Sequence, residues 1–244
     1  VVTKKQEDMA WDDIGGLEHV KDAINETIIW PLANPNVFKD TVRRPAKGLL
    51  LFGPPGTGKT MIAKAIAAKI TECTFFCVTG STLFSKWMGE AEKTIKTLFE
   101  IARLKQPSII FVDEIDSLLS SRGDGESGKN MLGVKNQMLQ MMEGFGTAAC
   151  EQVLLIGATN FPENIDEAAR RMLVPLPDVH ARTQILKSLL KKEINHNISD
   201  GQFLRIAERF DMFSGADLKL VVAEAATKPL KEVMKGKGEA EFKA

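Results

Sequence analysis

The chain has 244 residues, 44% of them apolar, with 32 Lys plus Arg set against 32 Asp plus Glu. That length and apolar content suit one domain of moderate size or two small ones with a real core. Zero formal charge gives no global pull toward nucleic acid or an anionic membrane. No apolar run approaches a membrane span, and the Lys-, Glu- and Asp-rich start shows no signal-peptide core. Cys73, Cys77 and Cys150 form an odd set without CxxC spacing, and His19, His180 and His196 are scattered. That pattern argues against a disulfide framework and a zinc site, and for a reducing compartment.

In chain order, Trp11-Asp12-Asp13-Ile14-Gly15-Gly16-Leu17 precedes an amphipathic helix running to about Trp30, which Pro31 and Pro35 are expected to end. The run Leu49-Leu50-Leu51-Phe52 reads as a buried strand. It feeds Gly53-Pro54-Pro55-Gly56-Thr57-Gly58-Lys59-Thr60, which fits G-x-x-x-x-G-K-[ST], a loop that wraps nucleotide phosphates. Glycines let the backbone curl until successive N–H groups face an anion. Lys59 has the reach for the β- and γ-phosphates of ATP, and the Thr60 hydroxyl can ligate magnesium (Mg2+). Met61, Ile62, Ala65, Ile66 and Ala68 carry a helical spacing, so a helix opens here and adds its positive end. The plainer alternative is a Gly/Pro turn between two core elements.

Thr74-Phe75-Phe76 lies in a strand where Cys73 and Cys77 read as small core residues. Ala91, Ile95, Leu98, Phe99 and Ala102 give the next helix one apolar face. Ile109-Ile110-Phe111-Val112 then ends in Asp113-Glu114, the pattern of a buried parallel strand with carboxylates at its C-terminal edge. Ligands of open α/β sheets bind at that edge. Asp113 would hold Mg2+ through its water shell, and Glu114 would polarise an attacking water. The alternative makes both a polar strand end capping the next helix. Val153-Leu154-Leu155-Ile156 runs into Gly157-Ala158-Thr159-Asn160, where the Asn160 amide could orient that water, although Thr-Asn also starts turns. Pro175-Leu176-Pro177-Asp178 marks a break. Beyond it the patterns are helical, with a stripe of Ile185, Leu186, Leu189 and Leu190 and capping boxes at Ser199/Gln202 and Ser214/Asp217. The expected fold class is α/β. Residues 1–178 form a parallel sheet with flanking helices and 179–244 a small all-helical domain.

Taken together, GPPGTGKT (Gly53–Thr60), FVDEID (Phe111–Asp116), GATN (Gly157–Asn160), DEAARR (Asp166–Arg171) and FSGAD (Phe213–Asp217) resemble an AAA ATPase over nearly the whole chain. Within that family the chain is most similar to the microtubule-severing and endosomal-sorting branch of fidgetin-like proteins, katanin, spastin and the ESCRT-disassembling ATPase. Thr74–Phe76, Ser85–Glu90 and Asp113–Glu126 look especially fidgetin-like. The resemblance implies a five-stranded parallel P-loop sheet with a helical lid. It also implies a homohexameric ring driven by ATP, cytoplasmic and associated with the cytoskeleton, with the nucleus as an alternative.

The resemblance assigns residues too. Ile14 and Gly16 match the adenine contacts. Pro55, Gly56, Thr57, Gly58, Lys59, Thr60 and Met61 match the phosphate-side contacts, and Gly215 and Ala216 match the lid contact to the nucleoside. Gly215 is equally well read as a small residue in a capped first helical turn. Arg171, and with it Arg170, match arginines that reach a neighbouring subunit's site, against the alternative of solvated helix-end arginines. Lys86, Trp87 and Met88 match a pore loop that grips an extended peptide, with Lys86 suited to an acidic tubulin tail, against the alternative of Trp87 packed at the edge of the next helix. The other substrates open to this branch are ESCRT or recombinase filaments, and a weakly hydrolysing scaffold is a third reading.

One departure stands out. Arg171 runs directly into Met172-Leu173-Val174-Pro175, leaving almost no residues for a helix-to-strand connection. The stretch Ser127-Gly128-Lys129-Asn130, where a second pore loop is expected, also looks short. Either both are true deletions, which would leave a poor or inactive ATPase, or the sequence lacks residues of two flexible loops, the reading that the position of both stretches favours.

Overall fold

The structure, a computed structural model, describes residues 2–3, 11–34, 37, 48–70, 73–80, 91–119, 152–162, 170–191 and 196–236. They fall into two compact units. Val1–Trp11, Glu18–Pro54 and Lys59–Pro175 make up a sheet unit, and Asp12–Leu17, Pro55–Gly58 and Leu176–Ala244 a helical unit.

In the sheet unit the strands are β1 (Val2–Thr3), β2 (Gly48–Phe52), β3 (Thr74–Thr79), β4 (Ser108–Asp113), β5 (Val153–Thr159) and β6 (Arg170–Leu173), in the order β1-β3-β4-β5-β2-β6. β2 to β6 pair in parallel, which is the five-stranded parallel sheet that the resemblance implies, and the two-residue β1 adds antiparallel to β3. β4 and β5 are central, and every residue of β5 is buried. That explains why their sequences are unbroken apolar runs rather than alternating ones. Helices α3 (Lys59–Lys69), α4 (Ala91–Leu104) and α5 (Ile115–Leu119) follow β2, β3 and β4. α4 lays Ile95, Phe99 and Ala102 into a core with Phe76, Ile110 and Leu155.

The N-terminal helix differs from expectation. α1 (Glu18–Ile24) opens into one π-turn at Asn25–Ile29 and continues as α2 (Trp30–Ala33), so Pro31 does not end it. Trp30 N donates to Asn25 O, five residues back. A proline lacks an N–H and crowds the preceding turn, and the wider π-turn is one way a helix absorbs such a disturbance.

β6 also differs. Arg170 and Arg171, for which a solvated helix end is the alternative to reaching a neighbouring subunit's site, are its first two residues, opposite Leu49 and Leu50 of β2. With no connecting residues before Met172, the arginines themselves must extend into the sheet edge. They sit toward the start of β6, roughly 7–10 Å of strand rise before the edge where the phosphate loop begins. The Arg171 side chain is exposed.

In the helical unit α6 (Val179–Lys191), α7 (Asp200–Arg209) and α8 (Gly215–Gly236) enclose Leu186, Phe203, Ala207 and Leu218. Both expected caps form: Ser199 N donates to Gln202 Oε1 at 2.8 Å and Ser214 N to Asp217 Oδ2 at 2.9 Å. Arg182 is 3% exposed, and donates from Nε to Ala207 O at 3.0 Å and from Nη1 to Pro177 O at 2.8 Å. Its ion pair with Asp211, 3.4 Å away, adds little because Asp211 is in solvent. Arg182→Met keeps the aliphatic stem but orphans two buried carbonyls, so a loss of about 2–3 kcal/mol is expected. Urea unfolding checks it: a midpoint unchanged within error would show that the guanidinium is not the tie.

Candidate nucleotide site

The phosphate loop Gly53–Thr60 leaves the C-terminal end of β2 and opens α3. Gly53, Gly56 and Gly58 have φ of 146°, 74° and 92°, a region closed to most side chains. At Gly53 there is a second reason for glycine. A Cβ there would lie 2.2 Å from Val174 O, because Val174 N donates to Phe52 O at 2.7 Å and carries the β6 pairing up to the loop. Lys59 is buried and its Nζ donates to Gly53 O at 2.9 Å and Pro54 O at 2.8 Å. Burial pulls its ammonium below the usual lysine value, while Asp113 and Asp116 pull it back up. A cation held by neutral carbonyls in a partly dry place is suited to an anion, since phosphate oxygens accept more strongly than peptide oxygens.

At the same edge Thr60 Oγ1 donates to Asp113 Oδ2 at 2.9 Å. Glu114 N donates to the other carboxylate oxygen, Asp113 Oδ1, at 3.0 Å. Glu114 is exposed and has φ 51°, an unusual backbone for a non-glycine residue. Ser117 fixes it there: its N and Oγ both donate to Glu114 O, at 3.0 and 2.8 Å. The end of β5 brings Asn160, exposed, to this edge. Sheet geometry thus places Lys59, Thr60, Asp113, Glu114 and Asn160 at the C-terminal strand ends, as expected. Hydroxyl and carboxylate together are the hard oxygen donors that magnesium takes, usually one or two from protein with the rest from phosphate and water. Among the described residues no group of three or more His, Cys, Asp and Glu is placed to cage a metal alone.

The helical unit gathers three other expected segments. Gly56 O accepts from Ala216 N at 3.2 Å, and a Cβ on Gly56 would lie 2.6 Å from Ser214 Oγ. A Cβ on Gly215 would meet Gly56 O at 3.4 Å. Gly16, at φ 69°, donates its N–H to Gln184 Oε1 at 2.8 Å, and a Cβ there would lie 2.4 Å from the Cβ of Ala181. Ile14 is buried. So Ile14, Gly16, Pro55–Gly58, Gly215 and Ala216 belong to one compact unit, while Met61, half-exposed on α3, lies in the other. Asp217, whose carboxyl is held below the usual carboxylate range by the Ser214 hydroxyl and N–H, caps the helix that starts at Gly215.

Sequence reasoning missed three participants. Gln184 lies 168 residues from the glycine it caps, with no local signal. Ser117 and Thr159 sit inside recognised motifs but carry no chemistry visible without coordinates. Lys86, Trp87, Met88 and the stretch Ser127–Asn130 lie outside the described residues. The two described cysteines, expected as core residues, are half-buried: burial pushes the Cys73 thiol up to about 12 and the Cys77 thiol upward. No described helix is long and apolar enough to cross a membrane.

Comparison with known proteins adds to this geometry. Residues 49–175 match the ATPase family associated with various cellular activities (AAA), and residues 200–244 match the AAA+ lid domain. The ATPase family AAA domain-containing protein FIGL1 of Arabidopsis thaliana is 49% identical over 242 residues, covering 96% of this chain and 35% of that protein. Human Fidgetin-like protein 1 is 46% identical over 228 residues, covering 91% of this chain and 33% of that protein. The chain therefore spans about a third of the length of these relatives. The crystal structure of a FIGL-1 AAA domain in complex with ADP superposes with a TM-score of 0.84 at 41% identity, over 96% of this chain and 78% of that one.

The two ends of the loop test why it needs glycine. Gly58 has φ 92° with nothing within 4 Å of a Cβ, so Gly58→Ala meets only backbone strain of about 1–2 kcal/mol. Gly53→Ala meets the same strain and also the Val174 carbonyl. Thermal unfolding should show a clearly larger drop for Gly53→Ala, and equal drops would remove the close-approach argument.

Proposed function

The chain belongs to the AAA ATPase family, and from that premise we propose that it hydrolyses ATP, assembles as a six-membered ring and pulls on a protein polymer, with the microtubule as its substrate. The hydrolytic part is carried by one observation, the Thr60 hydroxyl 2.9 Å from the Asp113 carboxylate at the mouth of a glycine-hinged loop. In this reading Lys59 and the loop N–H groups bind the phosphates. Thr60 and Asp113 hold magnesium, which when bound would neutralise charge on the phosphate oxygens. Glu114 accepts a proton from the attacking water and Asn160 orients that water. Ile14, Gly16, Gly215 and Ala216 contact the nucleoside, and the ADP bound by the crystallised FIGL-1 domain supports a nucleotide in this role.

The polymer-remodelling part rests on the fidgetin-like relatives and on Lys86-Trp87-Met88, an aromatic beside a cation, which suits an extended acidic peptide. Arg171, with Arg170 beside it, reaches in this reading into a neighbouring subunit's site, where a guanidinium would stabilise charge on the transferring phosphoryl group.

Glu114→Gln should bind a fluorescent ATP analogue as the parent does while phosphate release falls by about 10²–10⁴, the range for loss of a positioned general base. Undiminished release would remove Glu114 from the mechanism. On stabilised microtubules the chain should cut filaments in an ATP-dependent way and spare those whose acidic tails have been cleaved. Robust hydrolysis without cutting would direct the search to another filament.

A further inference from the structure

Thr159 is the residue just before Asn160 and is 2% exposed. Its hydroxyl is engaged in both directions. Oγ1 donates to Asp116 Oδ1 at 2.7 Å and accepts from Phe161 N at 2.9 Å. The second bond closes a tight turn around Asn160, the kind of local side-chain-to-backbone bond that threonine makes at strand ends. The first crosses from β5 to α5, the short helix that follows directly on Glu114. A carboxylate can only accept, so the hydroxyl proton points to Asp116 and a lone pair is left for Phe161 N–H. The two bonds form one polarised chain, and each strengthens the other.

The neighbouring residues favour the same approach. Gly157 and Thr159 lie on one face of β5, because strand side chains alternate. A Cβ at Gly157 would lie 2.9 Å from Ile115 Cδ1, so the missing side chain lets α5 sit close enough for Asp116 to reach Thr159. Thr159 also lies opposite Phe52, the last residue before the phosphate loop. The helix carrying Asp116 is in turn tied to Glu114 through the Ser117 bonds to the Glu114 carbonyl.

We propose that Thr159 is a positioning residue, whose hydroxyl fixes the turn carrying Asn160 against the helix headed by Glu114 and so sets the spacing of the two groups that frame the attacking water. This rests on the hydrolytic reading given above. Asn160 and Glu114 carry the chemistry, and Thr159 acts through Asn160.

The test is steady-state ATP hydrolysis by the full chain carrying Thr159→Val, Thr159→Ser, Asn160→Ala and the double change Thr159→Val/Asn160→Ala. Valine keeps the shape and removes both bonds, and should lower kcat roughly tenfold while KM and affinity for a fluorescent ATP analogue stay within about twofold. Serine should restore most of the loss. In the Asn160→Ala background the valine change should cost nothing further, since a residue that acts through Asn160 has nothing left to position. An equal fold-loss in both backgrounds, or no loss of kcat in the single variant, would overturn the inference and leave the hydrolytic reading standing. Hydrolysis undisturbed by Asn160→Ala itself would overturn both the role of Asn160 and this inference. Should valine cost the fold, Thr159→Ser and Thr159→Ala differ only in the hydroxyl and carry the same comparison.

Discussion

The hydrogen bond from Thr60 to Asp113 joins residues 53 positions apart and fixes the candidate site. Thr60 starts the helix after β2, and Asp113 ends β4. These strands are not neighbours, since β5 lies between them in the sheet. The bond therefore exists only if three parallel strands end at the same height. The register supplies this: Phe52 of β2 faces Thr159 of β5, and Val112 of β4 faces Gly157. In an open parallel sheet the helices after such strands leave a crevice at their carboxyl ends, where ligands bind. The strand inserted between the two motifs is the one that leads into Asn160, so the ordering that separates them also brings a third polar group to the edge.

The site is also electrostatically coherent. Lys59 loses solvation on burial and recovers part of the loss from Asp113 and Asp116 and from two loop carbonyls. A loop built on positive-φ glycines turns its N–H groups inward, and its carbonyls are the ones left for the lysine. Replacing those neutral acceptors with phosphate oxygens would strengthen every contact the ammonium makes, while Thr60 and Asp113 hold the oxygens suited to the counter-cation.

How much of this was legible in the sequence follows from the range of each interaction. Buried parallel strands appear as continuous apolar runs, so β2, β4 and β5 were readable, as were the amphipathic α4 and the two reciprocal caps, whose partners are three residues apart. The loop was readable because only glycine tolerates its backbone. Contacts set by tertiary approach were hidden: Gln184 on Gly16, the Val174 carbonyl over Gly53, and Asp116 on Thr159. The π-turn was hidden for another reason. A proline in a helical pattern normally signals an end, and only the packed positions of Ile28 and Ile29, both buried, show why the helix continues around it.

The arginine pair shows how strand pairing, and not a motif string, sets where the backbone of a residue lies. A motif assigns Arg170 and Arg171 a role by their place in a string, but the backbone places them by the connection that follows. With Met172 next in line, β6 begins at Arg170 and pairs along Leu49 and Leu50, which are almost fully buried. Freeing the arginines from the strand would leave the edge of β2 unpaired there, and each backbone hydrogen bond given up is worth about 0.5–1.5 kcal/mol net. Two such positions outweigh the few tenths of a kcal/mol that a cation gains at an exposed helix C-terminus. The backbone pairing opposite Leu49 and Leu50 decides this placement, and it fixes the arginines by their main chain alone.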